Sequence, residues 1–220
     1  PPRPPRNFIG ENVMVATMLY TKTAEAFEYC VIRAQNIIFN GSISLYERPI
    51  SATINIPGKT LYTLESPYFS LESAAKAFDK RRPKLRYFIK DAEEEYVGKV
   101  VTQPSFWPFR PDLFSIQLED DFFDGHRIRP NFKKNTASLV IQDGALTTFF
   151  EPKEEIRSNC WKRTLYSRNS QGELAGLLFA LTLDITHGEN VVHGFPAGRM
   201  VDGFIERCSE KSNTEEGDIP

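Results

Sequence analysis

Two acidic stretches hold the densest potential for chemistry in this chain. "KDAEEEYVG" (90–98) sets Asp91, Glu93, Glu94 and Glu95 between two β-rich segments, and "LEDDFFD" (118–124) carries four carboxylates. Hard cations such as calcium take six to eight oxygen ligands, which carboxylates clustered on a tight inter-strand loop can supply. A solvated acidic loop has the same composition. A basic stretch, "KAFDKRRPKLR" (76–86), supplies Lys76, Lys80, Arg81, Arg82, Lys84 and Arg86. Near an anionic bilayer each such charge is worth about 1 kcal/mol. The Pro-rich "PSFWPFRPDLF" (104–114) offers Phe106, Trp107, Phe109 and Phe114, side chains that favour a membrane interface. A basic run is also the ordinary make-up of a solvated face, and aromatic loops commonly pack on their own domain.

Catalytic signatures are missing from the sequence. There is no GxSxG, phosphate-binding loop or GxGxxG. Of His126, His187 and His193, the last two are six apart, a spacing that does not put two ligands on one helical face, and no Cys or Glu pattern of a zinc site accompanies them. Nothing assembles a nucleophile, a base and an orienting group, so the chain is expected not to be an enzyme. Cys30, Cys160 and Cys208 are far apart, odd in number and form no CxxC pair, which argues against a disulfide scaffold and a structural zinc site and fits reduced thiols in the cytoplasm.

These groups need a scaffold, and composition permits one. Of 220 residues, 40% are hydrophobic, enough for a packed core. The net charge of -2 gives no global basic excess, so nucleic acid is not expected as a partner. The opening "PPRPPR" has no apolar signal core and reads as a flexible lead-in over residues 1–11. Residues 196–220 read as a C-terminal segment ending in a disordered acidic tail. The longest apolar run, Leu174 to Ile185, falls short of the roughly 20 residues a spanning helix needs.

Between the ends, β-formers dominate. Strands are expected at 12–20, 27–39, 51–56, 59–65, 84–90 and 95–102. Turn signals fall at Asn40-Gly41 and Pro57-Gly58, and a hairpin over 138–150 folds about Asp143-Gly144. Residues 70–78 are the best helix candidate, with Ser70 as cap and Glu72 in the first turn. "GELAGLLFALTLDI" (172–185) reads as a turn and a last core strand, buried on both faces or bulged near Gly176. Short strands with little helix point to an all-β antiparallel sandwich.

Five local patterns in order resemble a C2 domain of the ferlin family. They are "EYCVIRAQNI", "KTLYTLESPYFS", "LRYFIKDAEEEYVGKVVTQPSF", "WKRTLYSRNSQGELAGLLFALTL" and "HGENVVHGF", covering most of 27–105 and 161–195. The resemblance implies one C2-like β-sandwich over residues 12–195, with one short helix and a long insertion at about 106–160. It also implies a non-enzymatic module that binds phospholipid membranes or partner proteins in vesicle trafficking and fusion. Such a module would sit at the cytosolic face of vesicles or the plasma membrane, docking on anionic phospholipid or on neighbouring domains. The alternative is a structural scaffold domain without lipid binding. In the family's calcium loops, Asn40 stands near one expected aspartate and Arg48 near another, while Asp91, Glu93 and Glu94 remain as ligand candidates. No cofactor is therefore required, and calcium is expected to bind weakly or not at all.

Overall fold

A computed structural model describes residues 13–44, 51–66, 86–103, 112–128, 137–151 and 153–187. The expected helix at 70–78 lies outside these segments. Among the described residues, thirteen strands form one antiparallel sheet, neighbours in chain order except that β13 lies between β11 and β12: β1 (Met14–Lys22), β2 (Ala26–Arg33), β3 (Asn36–Ser44), β4 (Ser51–Ile56), β5 (Lys59–Glu65), β6 (Arg86–Lys90), β7 (Tyr96–Gln103), β8 (Asp112–Leu118), β9 (Asp121–Ile128), β10 (Ala137–Gln142), β11 (Ala145–Phe150), β12 (Glu154–Arg157) and β13 (Cys160–Ser167). Among the described residues one helix follows, α1 (Ser170–His187).

The sheet closes on itself. β13 pairs along one edge with β1, from Met14↔Ser167 to Thr21↔Cys160. Along its other edge β11 takes one half and β12 the other. The result is a closed twelve-strand barrel, which corrects the expected C2-like sandwich. A sandwich has two sheets with open edges, whereas this ring leaves no gap between first and last strands. The span expected as an insertion, about 106–160, contains β8 to β12, and these strands are part of the wall.

Hairpin chemistry explains several connections. Asp143 and Gly144 both take positive φ, as a two-residue hairpin turn requires, and Gly58 does so after Pro57. The Asn40-Gly41 expectation is corrected: both residues lie inside β3, and the turn is at Ala34-Gln35, both with positive φ. Gly41 is glycine for a different reason. A Cβ there would lie 1.9 Å from Thr53 O of β4. That carbonyl accepts the Tyr29 hydroxyl at 2.6 Å, and Ser42 N donates instead to the Thr53 side chain at 3.1 Å.

The wall strands alternate, as in β6, where Tyr87 and Ile89 are buried and Arg86 and Phe88 exposed. Twelve strands ~4.8 Å apart, tilted by roughly 40°, enclose a backbone diameter of about 24 Å. Once lined with side chains, that leaves about the width of one helix. α1 fills it. Ala175, Leu177, Leu178, Phe179, Ala180, Leu181 and Ile185 are all fully buried, so the helix is apolar on every side. Phe179 packs on Phe114 of β8 at 4.6 Å and on Phe150 of β11 at 5.3 Å, so Phe114, expected on an exposed aromatic loop, is corrected to a core residue.

The expected final strand at 173–185 is therefore corrected to a helix. Its sequence is built from Leu and Ala, good helix formers with few β-branched residues. Asn169 caps it: Oδ1 accepts from Gly172 N at 2.6 Å, and Glu173 N donates to Asn169 O at 3.0 Å. Asn-Ser-Gln-Gly reads equally as a hairpin turn or as a cap leading into a first turn.

Candidate functional site

α1 occupies the lumen, and the outer wall is what the barrel presents to solvent. An open groove of about 760 Å³ crosses β6, β7 and β8, lined by Phe88, Tyr96, Val97, Lys99, Gln117 and Glu119 among others. Strand register builds it: Phe88 pairs with Lys99, Lys99 with Gln117, and Gln117 with Phe122 on β9. Outward side chains thus form a line of aromatic, cation, amide and aromatic. A bulge between Ile89 and Lys90 shifts the register, bringing Tyr96 opposite Lys90. The Tyr96 ring meets Phe88 edge to face at 5.6 Å, and Tyr96 is 67% exposed. Gly98 lets β7 approach β8, since a Cβ would fall 2.3 Å from Gln117 O.

The groove ends between two turns. In the β6–β7 turn, Asp91 Oδ1 accepts from Glu93 N at 3.0 Å and Glu95 N at 2.9 Å, which holds the turn closed. Glu119 begins the β8–β9 turn at positive φ, and its N donates to Val97 O at 2.7 Å, so the two turns lie side by side. The Tyr62 hydroxyl donates to Glu119 Oε1 at 3.1 Å; burial and then Glu119 push the phenol up to about 12. Lys90 donates to Glu65 Oε1 at 2.8 Å and lies 5.3 Å from the Tyr96 ring centre. Glu119, Asp120 and Lys99 line the groove here, and Asp91, Glu93, Glu94 and Glu95 stand on the neighbouring β6–β7 turn after Lys90.

The residues named from sequence distribute unevenly. Asp91, Glu93 and Glu94 share the β6–β7 turn, but Asn40 lies on β3, three strands away around the wall, opposite Asn55 of β4. Among the described residues no group of three or more His, Cys, Asp or Glu is placed to hold a metal ion. Arg86 opens β6 on the outer face. Lys76, Lys80, Arg81, Arg82, Lys84, Phe106, Trp107 and Phe109 lie outside the described residues, as do Arg48 and His193. Sequence reading missed Phe88, Tyr96, Lys99 and Gln117. A signal existed for Phe88: in "RYFIK" it occupies the polar phase of an alternating strand, where an aromatic has no core to fill.

A second cluster of charges lies inside the barrel. Asp184, near the end of α1, accepts at Oδ1 from Lys153 Nζ and from Arg163 Nη2 of β13, each at 3.1 Å. Arg163 Nη1 also reaches Ala180 O at 3.4 Å, and Lys153 Nζ stands 4.5 Å from the Tyr20 ring centre. At the other end of the helix, buried Glu173 accepts from Arg33 of β2 at 2.9 Å. Burial raises the Glu173 carboxyl despite that guanidinium. These pairs tie both ends of the plug to the wall.

No family model matches the chain, and no relative is found among curated proteins. Among the described residues, no helix is long and apolar enough to cross a membrane.

Proposed function

We propose that this barrel is a non-enzymatic docking module that engages a partner protein through the outer groove on β6, β7 and β8. One observation carries the reading. The lumen is filled by α1, while an aromatic shelf of Phe88 and Tyr96 stands exposed in a groove of about 760 Å³. Exposed aromatics in a concavity with a polar rim are the composition of a recognition surface, because large rings bury much area at small entropic cost. The reading needs no catalytic group and no metal.

The test is selection of displayed random peptides on the protein, with counter-selection on the Phe88→Ala/Tyr96→Ala variant. Peptides should be recovered that protect β6–β8 amides from hydrogen exchange. Recovery of none, or a footprint on another face, overturns the reading.

A second reading, peripheral binding to anionic phospholipid, is favoured by Arg86 and Lys99 flanking Phe88 on the same wall. It predicts pelleting with phosphatidylserine vesicles without calcium, lost when Lys80, Arg81, Arg82 and Lys84 become Glu. Vesicles that fail to pellet the protein exclude it.

A further inference from the structure

We infer that the groove selects an extended segment bearing Arg or Lys side chains; this rests on the docking reading above and specifies its partner. The argument is one of charge complementarity at a shaped surface. Six carboxylates, on Asp91, Glu93, Glu94, Glu95, Glu119 and Asp120, stand on the two turns at one end of the groove. Two ammonium groups oppose them, and that of Lys90 is already held by Glu65 at 2.8 Å. Among the described residues, no ion pair within 4.0 Å involves Glu93, Glu94, Glu95 or Asp120, although Glu94 acts at longer range on Lys90.

The carboxylates are not drawn together around a point, and the described residues hold no metal-ligating group there. Their charge is spread along a rim. A rim attracts a row of cations better than one ion, because like charges kept apart need not be desolvated together. Beside the rim, the exposed Tyr96 ring offers a face for a guanidinium, an attraction worth ~0.5–1 kcal/mol at an exposed site. Phe88 gives the aliphatic stem of the same side chain, or an apolar neighbour, a surface to cover. Acidic segments and anionic bilayers meet the opposite condition, since approach along this end brings them against the carboxylates.

The experiment uses the peptides recovered by display. Their sequences should be enriched in Arg and Lys over the library and depleted in Asp and Glu. In fluorescence polarisation, a recovered peptide should bind at least tenfold more weakly when its basic residues are changed to Gln. The protein variant Glu93→Gln/Glu94→Gln/Glu119→Gln/Asp120→Asn should weaken the basic peptide similarly and leave its Gln counterpart unchanged. Added salt should weaken the first peptide only. Neutral or acidic peptides that bind as tightly, and lose affinity with Tyr96→Ala, overturn the charge selection while leaving the docking reading in place. Failure to recover any peptide overturns both. Pelleting on phosphatidylserine vesicles that Tyr96→Ala abolishes replaces the basic segment with a membrane and also counts against the inference.

Discussion

Arg163 Nη2 donates to Asp184 Oδ1 at 3.1 Å, joining the wall strand β13 to the last turn of the helix that fills the barrel. Lys153 binds the same oxygen at 3.1 Å, and all three side chains are at most 7% exposed. Asp184 sits near the negative end of the helix dipole, where a carboxylate is disfavoured, so the two cations compensate it there. Asp184→Asn leaves two buried cations without their counter-charge, an effect expected to cost ~3–5 kcal/mol. Urea unfolding at neutral pH reads it directly. The triple replacement Lys153→Met/Arg163→Met/Asp184→Leu is expected to cost less than Asp184→Asn alone. A loss below about 0.5 kcal/mol for Asp184→Asn contradicts the compensation.

Gly176 faces Thr148 of β11, where an added Cβ would lie 2.5 Å from Thr148 Cγ2. Alanine is favoured over glycine inside a helix by ~1 kcal/mol, but overpacking costs ~1–3 kcal/mol. Gly176→Ala is therefore expected to destabilise the protein. In a Thr148→Ser background the clashing methyl is gone, and the hydroxyl still donates to Gly172 O. There the same substitution is expected to stabilise. Two melting curves decide, and a clash elsewhere shows as destabilisation in both backgrounds.

Burial raises the carboxyls of Glu173 and Glu151 above their ordinary value of 4.5. Between that value and the raised one, the folded protein holds protons that the unfolded chain has released. Stability from these groups is complete below pH 4.5 and is lost as pH rises through their folded values. Glu151→Gln/Glu173→Gln is expected to flatten the fall in stability over that window. An unchanged pH profile in the double variant refutes the assignment.

Two cysteines on the wall differ in environment. At the β12–β13 turn, Arg157 Nε donates to Cys160 Sγ at 3.3 Å and lowers the thiol below its usual range, while burial raises Cys30. Because the thiolate is the nucleophile, Cys160 is expected to react with iodoacetamide faster than Cys30 at neutral pH. Arg157→Gln should slow Cys160 and leave Cys30 untouched. Peptide mapping by mass spectrometry measures both rates. Equal rates at the two cysteines rule out guanidinium activation.

Much of the wall was legible from local pattern, because strand alternation and turn chemistry act over a few residues. Positive φ at Asp143-Gly144 and Gly58 realises the turns those residues favour, and β4, β5, β10 and β11 follow from them. Asn40-Gly41 misled, since glycine serves turns and close backbone approach alike, and only the position of Thr53 O distinguishes them here. The acidic β6–β7 turn stood out in the sequence; its neighbour Glu119 became part of the same rim only once β7 and β8 were paired.

The sequence by itself determined that the chain is β-rich, where most strands turn, and that one long Leu- and Ala-rich run must be buried. It did not determine whether that run is strand or helix, because a segment apolar on all sides carries no period. The tertiary structure decided this by pairing β1 with β13, ends of the wall far apart in sequence. Closure made a lumen about one helix wide, where a segment buried on every side must satisfy its own backbone hydrogen bonds. The same closure turned Phe88 and Tyr96 outward with no core left to receive them.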